Sequence, residues 1–273
     1  MAAGIADLTG IRAKLRRAKE HQNTLKTEFS IWVEQHANTR RFQIRRDSSW
    51  YVVTGEPFPQ LDIRFCIIAG DLVHNLRSAL DHLVWQLVIR DGQEPSRRNE
   101  FPICYSQKRF RDDVKFRKNK PKLSVLYGIM VDGDAWTIIE KAQPYVSLLP
   151  EENLIGLIGR LSSLDKHRTL YVQMPMVGDI KDAISWSPEA ILLEERIGVQ
   201  ALSFEHPTEV VRYRFADNPY PNVQVKGGLP ISPTIGEGTE EGYQLDIPMF
   251  NNLIGAVTAI VDEVSKLPRV IDV

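Results

Sequence analysis

The chain has 273 residues, a net charge of −1, 43% hydrophobic and 25% charged residues, which is the composition of a globular protein with one large domain or two modest ones. No apolar run approaches the roughly 18 residues of a membrane-spanning helix, and the N-terminus lacks the basic and apolar regions of a secretory signal. The two cysteines do not make a disulfide framework. We therefore expect a cytoplasmic protein with no membrane partner.

Positive and negative charges are divided unevenly along the chain. Residues 1–122 carry 23 Lys and Arg against 14 Asp and Glu, a net of +9, and residues 123–273 carry 11 against 21, a net of −10. A basic first part indicates an anionic partner. The alternative is that the two parts complement each other within the fold, and the charge pattern does not choose between these explanations.

Hydrophobic periodicity and turn signals predict the elements in chain order. A helix is predicted at about Ala6–Gln35, and Arg40–Gly55 has the alternation of a β-hairpin. Further helices are predicted at about Leu61–Arg90, Asp134–Ala142, Glu151–His167 and Asp246–Leu267. Between the last two helices, short β-prone runs separated by turn-forming clusters predict an antiparallel sheet, which the hairpin can join.

These elements predict an α+β protein. Its fold would be a helical bundle of about four main helices with an inserted antiparallel β region. The predicted bundle comprises residues 1–168 and 246–273, with the hairpin near residues 40–55, and the β region comprises residues 169–245. The last helix would then return to the bundle after the sheet.

The helix predicted at residues 61–90 has an unusual polar face. It has none of the Lys and Glu of an ordinary surface helix, and instead carries groups that form directional hydrogen bonds: Asp71, His74, Asn75, Arg77, Ser78, Asp81, His82 and Trp85. Arg77 and Asp81 are four residues apart and can pair along the helix. This face is either a polar seam between packed helices, satisfied internally, or a catalytic or ligand-binding face.

One resemblance rests on the six residues Arg77-Ser78-Ala79-Leu80-Asp81-His82. Their R-x-x-x-x-H spacing, on a helix of an α-bundle, resembles the motif of the HEPN superfamily. Members of this superfamily are commonly metal-independent endoribonucleases of toxin, CRISPR and antiphage systems. The resemblance implies RNA cleavage without a cofactor, in a toxin or defence setting, by a homodimer in which each protomer contributes one dyad. Many active members have Asn, Asp or His directly after the arginine, where this chain has Ser78.

A longer series of short blocks extends the comparison. Residues 74–82, Phe101-Pro102-Ile103, Gln143-Pro144-Tyr145 and Asp165-Lys166-His167-Arg168 together resemble a widespread group of uncharacterised bacterial proteins. This second resemblance implies no chemistry of its own.

The ribonuclease hypothesis gives the dyad a simple mechanism. His82 would exchange the proton of the ribose 2′-hydroxyl or of the leaving group near neutral pH. Arg77 would stabilise the charged phosphate as the 2′-oxygen attacks. The candidate catalytic residues are Arg77, His82, Ser78, Asp81 and His74.

A basic segment at residues 108–122 is the candidate RNA-binding region. It carries eight Lys and Arg against two Asp, with Phe110 and Phe116 between them. Basic side chains interleaved with aromatic rings suit phosphate contacts and base stacking. The candidate RNA-binding residues are Lys108, Arg109, Arg111, Lys115, Arg117 and Lys118. A solvated loop and short helix is the alternative explanation.

Two further hypotheses use the same polar residues. A metal site would take ligands from Asp71, His74, His82, Asp165 and His167, although the Glu-x-x-His pairs of di-iron bundles are missing and Arg77 lies among these ligands. In the other hypothesis the chain is a non-catalytic binding or accessory module, and a structural network fixes how its helices pair. That network would contain Arg77, Asp81, His74, Asp165 and Arg168.

Overall fold

The computed structural model describes residues 4–37, 42–57, 61–112, 124–167, 171–177, 184–198, 206–216, 221–225, 231–236, 244–245 and 247–272. Its helices are α1 (Thr9–Ala37), α2 (Ile63–Arg90), α3 (residues 107–112), α4 (Asp134–Lys141), α5 (Leu154–His167) and α6 (Ile247–Ser265). The five helices predicted from periodicity are confirmed, each to within about three residues at either end. No helix in the described part of the chain is both long and apolar enough to cross a bilayer.

Local features mark the start of α1 and the end of α2, which are the two longest helices. Helix α1 begins after Asp7, whose carboxylate accepts the backbone N–H of Thr9 at 2.9 Å. Helix α2 ends at Arg90, and the chain then turns at Gly92, whose φ of 76° is a conformation that glycine adopts without steric cost. The side chains of the apolar stripe on α2 are fully buried, and they are Leu72, Leu76, Ala79, Leu80, Leu83, Val84 and Leu87. This burial anchors α2 in the core.

Strands β2 (Phe42–Asp47) and β3 (Trp50–Gly55) form the predicted hairpin. Strand β3 also pairs with β7 (Thr208–Phe215), which pairs with β6 (Leu192–Ile197), so the antiparallel sheet has the order β2-β3-β7-β6. The prediction that the hairpin joins the sheet is therefore confirmed. One face of this sheet carries a hydrophobic cluster that includes Val53, Val211, Tyr213 and Phe215.

The other strands form smaller sheets. Strands β4 (Tyr171–Val177), β9 (Ile231–Gly236) and β10 (Gln244–Leu245) pair in the order β10-β9-β4, and β5 (Ile184–Ser185) pairs with β8 (Gln224–Val225). Strand β1 (Ala6–Asp7) pairs in parallel with β11 (Val270–Ile271). The described strands between residues 171 and 245 thus belong to three antiparallel sheets rather than the single sheet that was predicted. Alternating hydrophobicity identifies strands but does not determine which strands pair.

The chain divides into two compact units. The helical unit comprises Met1–Thr24, Ile67–Leu170 and Pro248–Val273, and the sheet unit comprises Leu25–Cys66 and Tyr171–Ile247. Helices α1 and α2 contribute residues to both units. The candidate residues on α2 all belong to the helical unit.

Candidate functional site

Arg77 and Asp81 form a two-point ion pair along α2. Nη2 of Arg77 lies 2.9 Å from Oδ1 of Asp81, and Nε of Arg77 donates to Oδ2 at 3.2 Å. Glu100 Oε2 lies 3.7 Å from the same Nη2. The Arg77 side chain is only 15% exposed, so water screens these charges less than at an open surface. The arginine of the R-x-x-x-x-H motif is thus held by carboxylates of its own chain.

The segment 99–104 lies against α2 because the same aspartate also binds its backbone. Asp81 Oδ1 accepts the backbone N–H of Phe101 at 2.9 Å. A carboxylate that accepts hydrogen bonds from a guanidinium and a backbone amide satisfies the polar groups of two elements at once. Asp81 therefore connects the 74–82 block of the sequence to the Phe101-Pro102-Ile103 block.

Gln143 connects the third block to the same segment. Its Oε1 accepts the Cys104 N–H at 3.0 Å, while its Nε2 donates to the carbonyls of Pro102 and Ile139, each at 2.9 Å. The side chain is fully buried. All three hydrogen bonds join the Gln143 side chain to backbone groups. Gln143 therefore satisfies backbone N–H and C=O groups that an irregular buried segment cannot pair by regular secondary structure. Three of the four blocks thus converge on residues 101–104.

A cavity of about 860 Å³ lies beside this segment, within the helical unit. Arginines from three elements contribute to its wall, namely Arg77 of α2, Arg109 of α3 and Arg160 of α5. Glu100 and Asp112 are the acidic residues of the wall. The volume is within the range of ligand pockets, and the exposed Arg109 gives this wall a guanidinium group that an anionic ligand can contact.

Two glycines of α5 allow the segment to approach the helix closely. A Cβ at position 156 would lie 2.7 Å from Tyr105 Oη, and one at position 159 would lie 2.8 Å from Ile103 Cδ1. At either position a Cβ would require the neighbouring side chain to shift. The glycines therefore allow Tyr105 and Ile103 to lie close against α5.

His82 lies beside a different, smaller cavity. This cavity of about 370 Å³ is lined by Asp81, His82, Trp85, Gln86 and Asn99, whereas Arg77 lines the larger one. Partial burial, together with the nearby charge of Lys14, lowers the pKa of His82 below its ordinary value, against the opposing effect of Asp81. His82 is nonetheless exposed. Of these two cavities in the described part of the chain, Arg77 lines the larger and His82 the smaller.

A polar cluster joins α2 to α5 at the other candidate positions. A Cβ at Gly70 would overlap the Asp165 carboxylate, with its Cγ only 2.9 Å away. Burial and the charge of Asp71 raise the pKa of Asp165, and His74 has the opposite effect. Asp71, His74 and Asp165 are therefore close enough to interact electrostatically. Ser78 is partly buried on the same helix.

The part of the chain that the structure describes contains no set of ligands that fits the metal hypothesis. No three His, Cys, Asp or Glu residues are placed there to hold a metal ion together. Arg168 and the side chain of His167 lie outside the described residues. Asp71 and His74 of α2 instead act on Asp165 of α5 through their charges.

The candidate RNA-binding residues have different environments. Arg111 pairs with Asp132 at 2.7 Å and with Glu140 at 2.8 Å, and Glu140 also accepts hydrogen bonds from Trp136 and Tyr145. Lys108 and Arg109 are exposed, and Arg109 lines the larger cavity. Lys115, Arg117 and Lys118 lie outside the described residues. Arg111 thus connects α3 to α4, and Arg109 remains the best-placed cation for a ligand.

The sequence pattern indicates no individual role for Gln143, Glu140 or Gly70. Gln143 belongs to the Gln143-Pro144-Tyr145 block, but its position just after a predicted helix gives no indication of its partners. Gly70 interrupts a strongly helical pattern, and such a glycine often marks a close approach of another element. That signal was present in the sequence, although it does not identify Asp165 as the neighbour.

Comparisons of the chain with protein-family models, curated protein sequences and solved structures give no match.

Proposed function

We propose that the chain is a non-catalytic RNA-binding module in which the Arg77–Asp81 pair is structural. The observation that carries this proposal is the Asp81 carboxylate, which accepts the Arg77 guanidinium and the Phe101 N–H together. An arginine engaged in this way contributes to holding the cavity wall rather than to stabilising a reacting phosphate. The helices would form a bundle of about four main members around this site.

The larger cavity is the proposed RNA contact. Arg109 is exposed on its wall, and the Tyr105 side chain, 38% exposed, offers an aromatic face beside it. A guanidinium that contacts phosphate and a ring that stacks on a base are the usual elements of single-strand binding. The basic residues that follow Arg109 in the sequence would extend the attraction for an RNA backbone.

A HEPN-type ribonuclease is the second candidate, and His82 favours it. Its imidazole is exposed and its pKa is lowered, so it is neutral and able to accept a proton at neutral pH. Since Arg77 and His82 line different cavities of one protomer, this function requires a homodimer whose cleft brings the dyads of two copies together. A toxin or antiphage setting is proposed only with this second function.

RNA binding and RNA cleavage should be measured on the same preparations. Fluorescence anisotropy with a labelled single-stranded RNA at about 150 mM salt measures affinity, and gel analysis in EDTA detects metal-independent cleavage. We expect Arg109→Ala and Tyr105→Ala each to weaken binding about five- to tenfold. Arg16→Ala, which removes an exposed positive charge from α1, is the matched control and should change binding less than twofold.

The outcomes separate the two candidates. Binding without cleavage supports the module. Cleavage that His82→Ala abolishes, with folding and RNA affinity retained, supports the ribonuclease and excludes the non-catalytic module. A wild-type protein that neither binds nor cleaves RNA overturns both.

A further inference from the structure

The two edges of the four-stranded sheet differ in how they meet solvent. Strand β2 exposes polar side chains along its length, namely Gln43, Arg45, Arg46 and Asp47. Strand β6 and the residue before it expose four large aliphatic side chains: Ile191 (62% exposed), Leu192 (36%), Leu193 (56%) and Ile197 (57%). Edge strands of natural sheets are normally protected by charged side chains or covered by another element. An edge strand with exposed aliphatic side chains can instead pair with a strand of another chain. Strand β6 carries its charges at the centre, in Glu194-Glu195-Arg196, and exposes the aliphatic side chains on either side of them.

We propose that β6 pairs antiparallel with β6 of a second copy of this chain, so that two four-stranded sheets join into one of eight strands. The pairing places a two-fold axis beside Glu195. Backbone hydrogen bonds between the edges supply the attraction, and the side chains select the register. This dimer is independent of the proposed function, because the residues of the RNA site belong to the helical unit.

Charge complementarity selects the register. With Glu195 on the axis, Glu194 of each copy lies opposite Arg196 of the other. A shift by one residue in one direction would set Glu194 against Glu195, which is unfavourable for directly opposed strands. A shift in either direction would also place opposite faces of the two sheets on the same side, which a two-fold axis does not allow. In the centred register the aliphatic residues on either side of the charges, Leu193 and Ile197, also come next to one another.

Contacts within the sheet hold these charges in position. Arg196 Nε donates to Glu194 Oε1 at 2.7 Å, and Arg214 Nη2 bonds to the same carboxylate. The Arg196 guanidinium lies 4.8 Å from the centre of the Trp50 ring. Side chains that are already ordered lose less entropy when a partner strand arrives.

Two features limit the strength of the dimer. The two Glu195 carboxylates face each other across the axis, which is a like-charge pair. A bulge between Leu192 and Glu194 interrupts the regular strand beside Leu193, so only residues 194–196 can pair regularly on both sides of the axis. One short strand pair buries less than the roughly 1,200 Å² of a stable interface, so we expect a dissociation constant on the order of tens of micromolar.

Sedimentation velocity of the full chain from about 5 to 200 µM tests the proposal. Wild type should show a concentration-dependent monomer–dimer equilibrium. Ile197→Lys should weaken the dimer at least tenfold, because two desolvated ammonium groups would enter the pairing edge. Glu195→Gln should strengthen it severalfold by removing the central repulsion. Met130→Lys is the matched control, since Met130 is 67% exposed in the helical unit, and it should behave as wild type.

Site-directed crosslinking tests the register independently of any loss of folding. Because Cys66 and Cys104 are buried, a new surface thiol can be followed against a low background. Under mild oxidation, Glu195→Cys should give a disulfide-linked dimer, whereas Gln43→Cys on the opposite edge should not. A wild type that remains monomeric at 200 µM overturns the proposal. So does a dimer that Glu195→Gln leaves unchanged and Glu195→Cys does not crosslink.

Discussion

Arg77 and Asp81 lie one turn apart on α2, with Nη2 of the arginine 2.9 Å from Oδ1 of the aspartate. The same oxygen accepts the Phe101 N–H, twenty residues further along the chain. The arginine of the R-x-x-x-x-H motif is therefore coupled to the position of the cavity wall, while His82 faces another cavity. We therefore expect substitutions of the Arg77–Asp81 pair to change the stability of the cavity wall, and the titration of His82 to respond to its own neighbours.

Asp81→Ala should loosen the segment 99–104. Removing the carboxylate leaves the Phe101 amide without its acceptor and Arg77 without its main partner, which we expect to cost about 2 kcal/mol in the free energy of unfolding. Amide hydrogen exchange at Phe101 should become at least tenfold faster. Glu20→Ala, which breaks an exposed pair with Arg17, should cost less than about 0.5 kcal/mol. Unchanged exchange at Phe101 would contradict a bracing role for Asp81.

Gln143→Glu should be among the more destabilising single substitutions in the helical unit. It removes two donated hydrogen bonds and places a carboxylate where there is no solvent, next to the carbonyls of Pro102 and Ile139. We expect a loss of about 3 kcal/mol by urea unfolding. Gln107→Glu, at an exposed position of α3, should change stability by less than about 0.5 kcal/mol. Equal effects of the two substitutions would rule out the network.

Gly70→Ala should act in the opposite direction from an ordinary glycine-to-alanine change in a helix. In Gly255→Ala, where a new Cβ meets nothing within 4 Å, higher helix propensity should stabilise the protein by about 0.5–1 kcal/mol. At Gly70 the new methyl group must displace the Asp165 carboxylate, so thermal stability should fall. The double variant Gly70→Ala/Asp165→Ala should recover part of the loss. A rise in melting temperature for Gly70→Ala would refute the close contact.

The titration of His82 should depend on Lys14. Burial and the Lys14 charge lower the pKa of His82, so its NMR midpoint should fall below the ordinary value of about 6.5. Lys14→Ala should raise that midpoint, and Arg16→Ala serves as the control of equal charge change. Because folding lowers this pKa, the unfolded chain binds more protons in the window between the two pKa values. His82 therefore contributes stability above about pH 6.5 that is lost as pH falls through the folded-state pKa. An unchanged midpoint in Lys14→Ala would contradict this arrangement.

Asp165 should give the opposite pH dependence. Burial and Asp71 raise its pKa, so the folded chain holds this proton more tightly than the unfolded chain, whose Asp pKa is about 3.9. The stability contributed by the protonated group is complete below that pH and is lost as pH rises through the folded-state pKa. The stability of Asp165→Asn relative to wild type should therefore increase as pH rises above about 4. Urea unfolding at several pH values measures this difference, and a flat difference would show that the pKa of Asp165 is not raised.

The amino-acid sequence alone is enough to predict the helices, the hairpin and the composition of the polar face on α2. These features are local: a period of about 3.6 residues, a two-residue alternation and a turn signal all depend on neighbours within a few positions. For that reason the predicted helix at residues 61–90 matches Ile63–Arg90, and the hairpin at residues 40–55 matches β2 and β3.

The partners of the polar residues depend on long-range packing and cannot be predicted in this way. The amide that binds Asp81, the carbonyls that bind Gln143 and the carboxylate that covers Gly70 come from distant parts of the chain. Residues five apart on a helix differ in direction by about 140°, so the shared spacing of Arg77 and His82 did not fix a shared cavity. Which cavity each residue lines depends on how the neighbouring segments pack against α2. Such long-range contacts depend on the whole core and leave no periodic signal in the sequence.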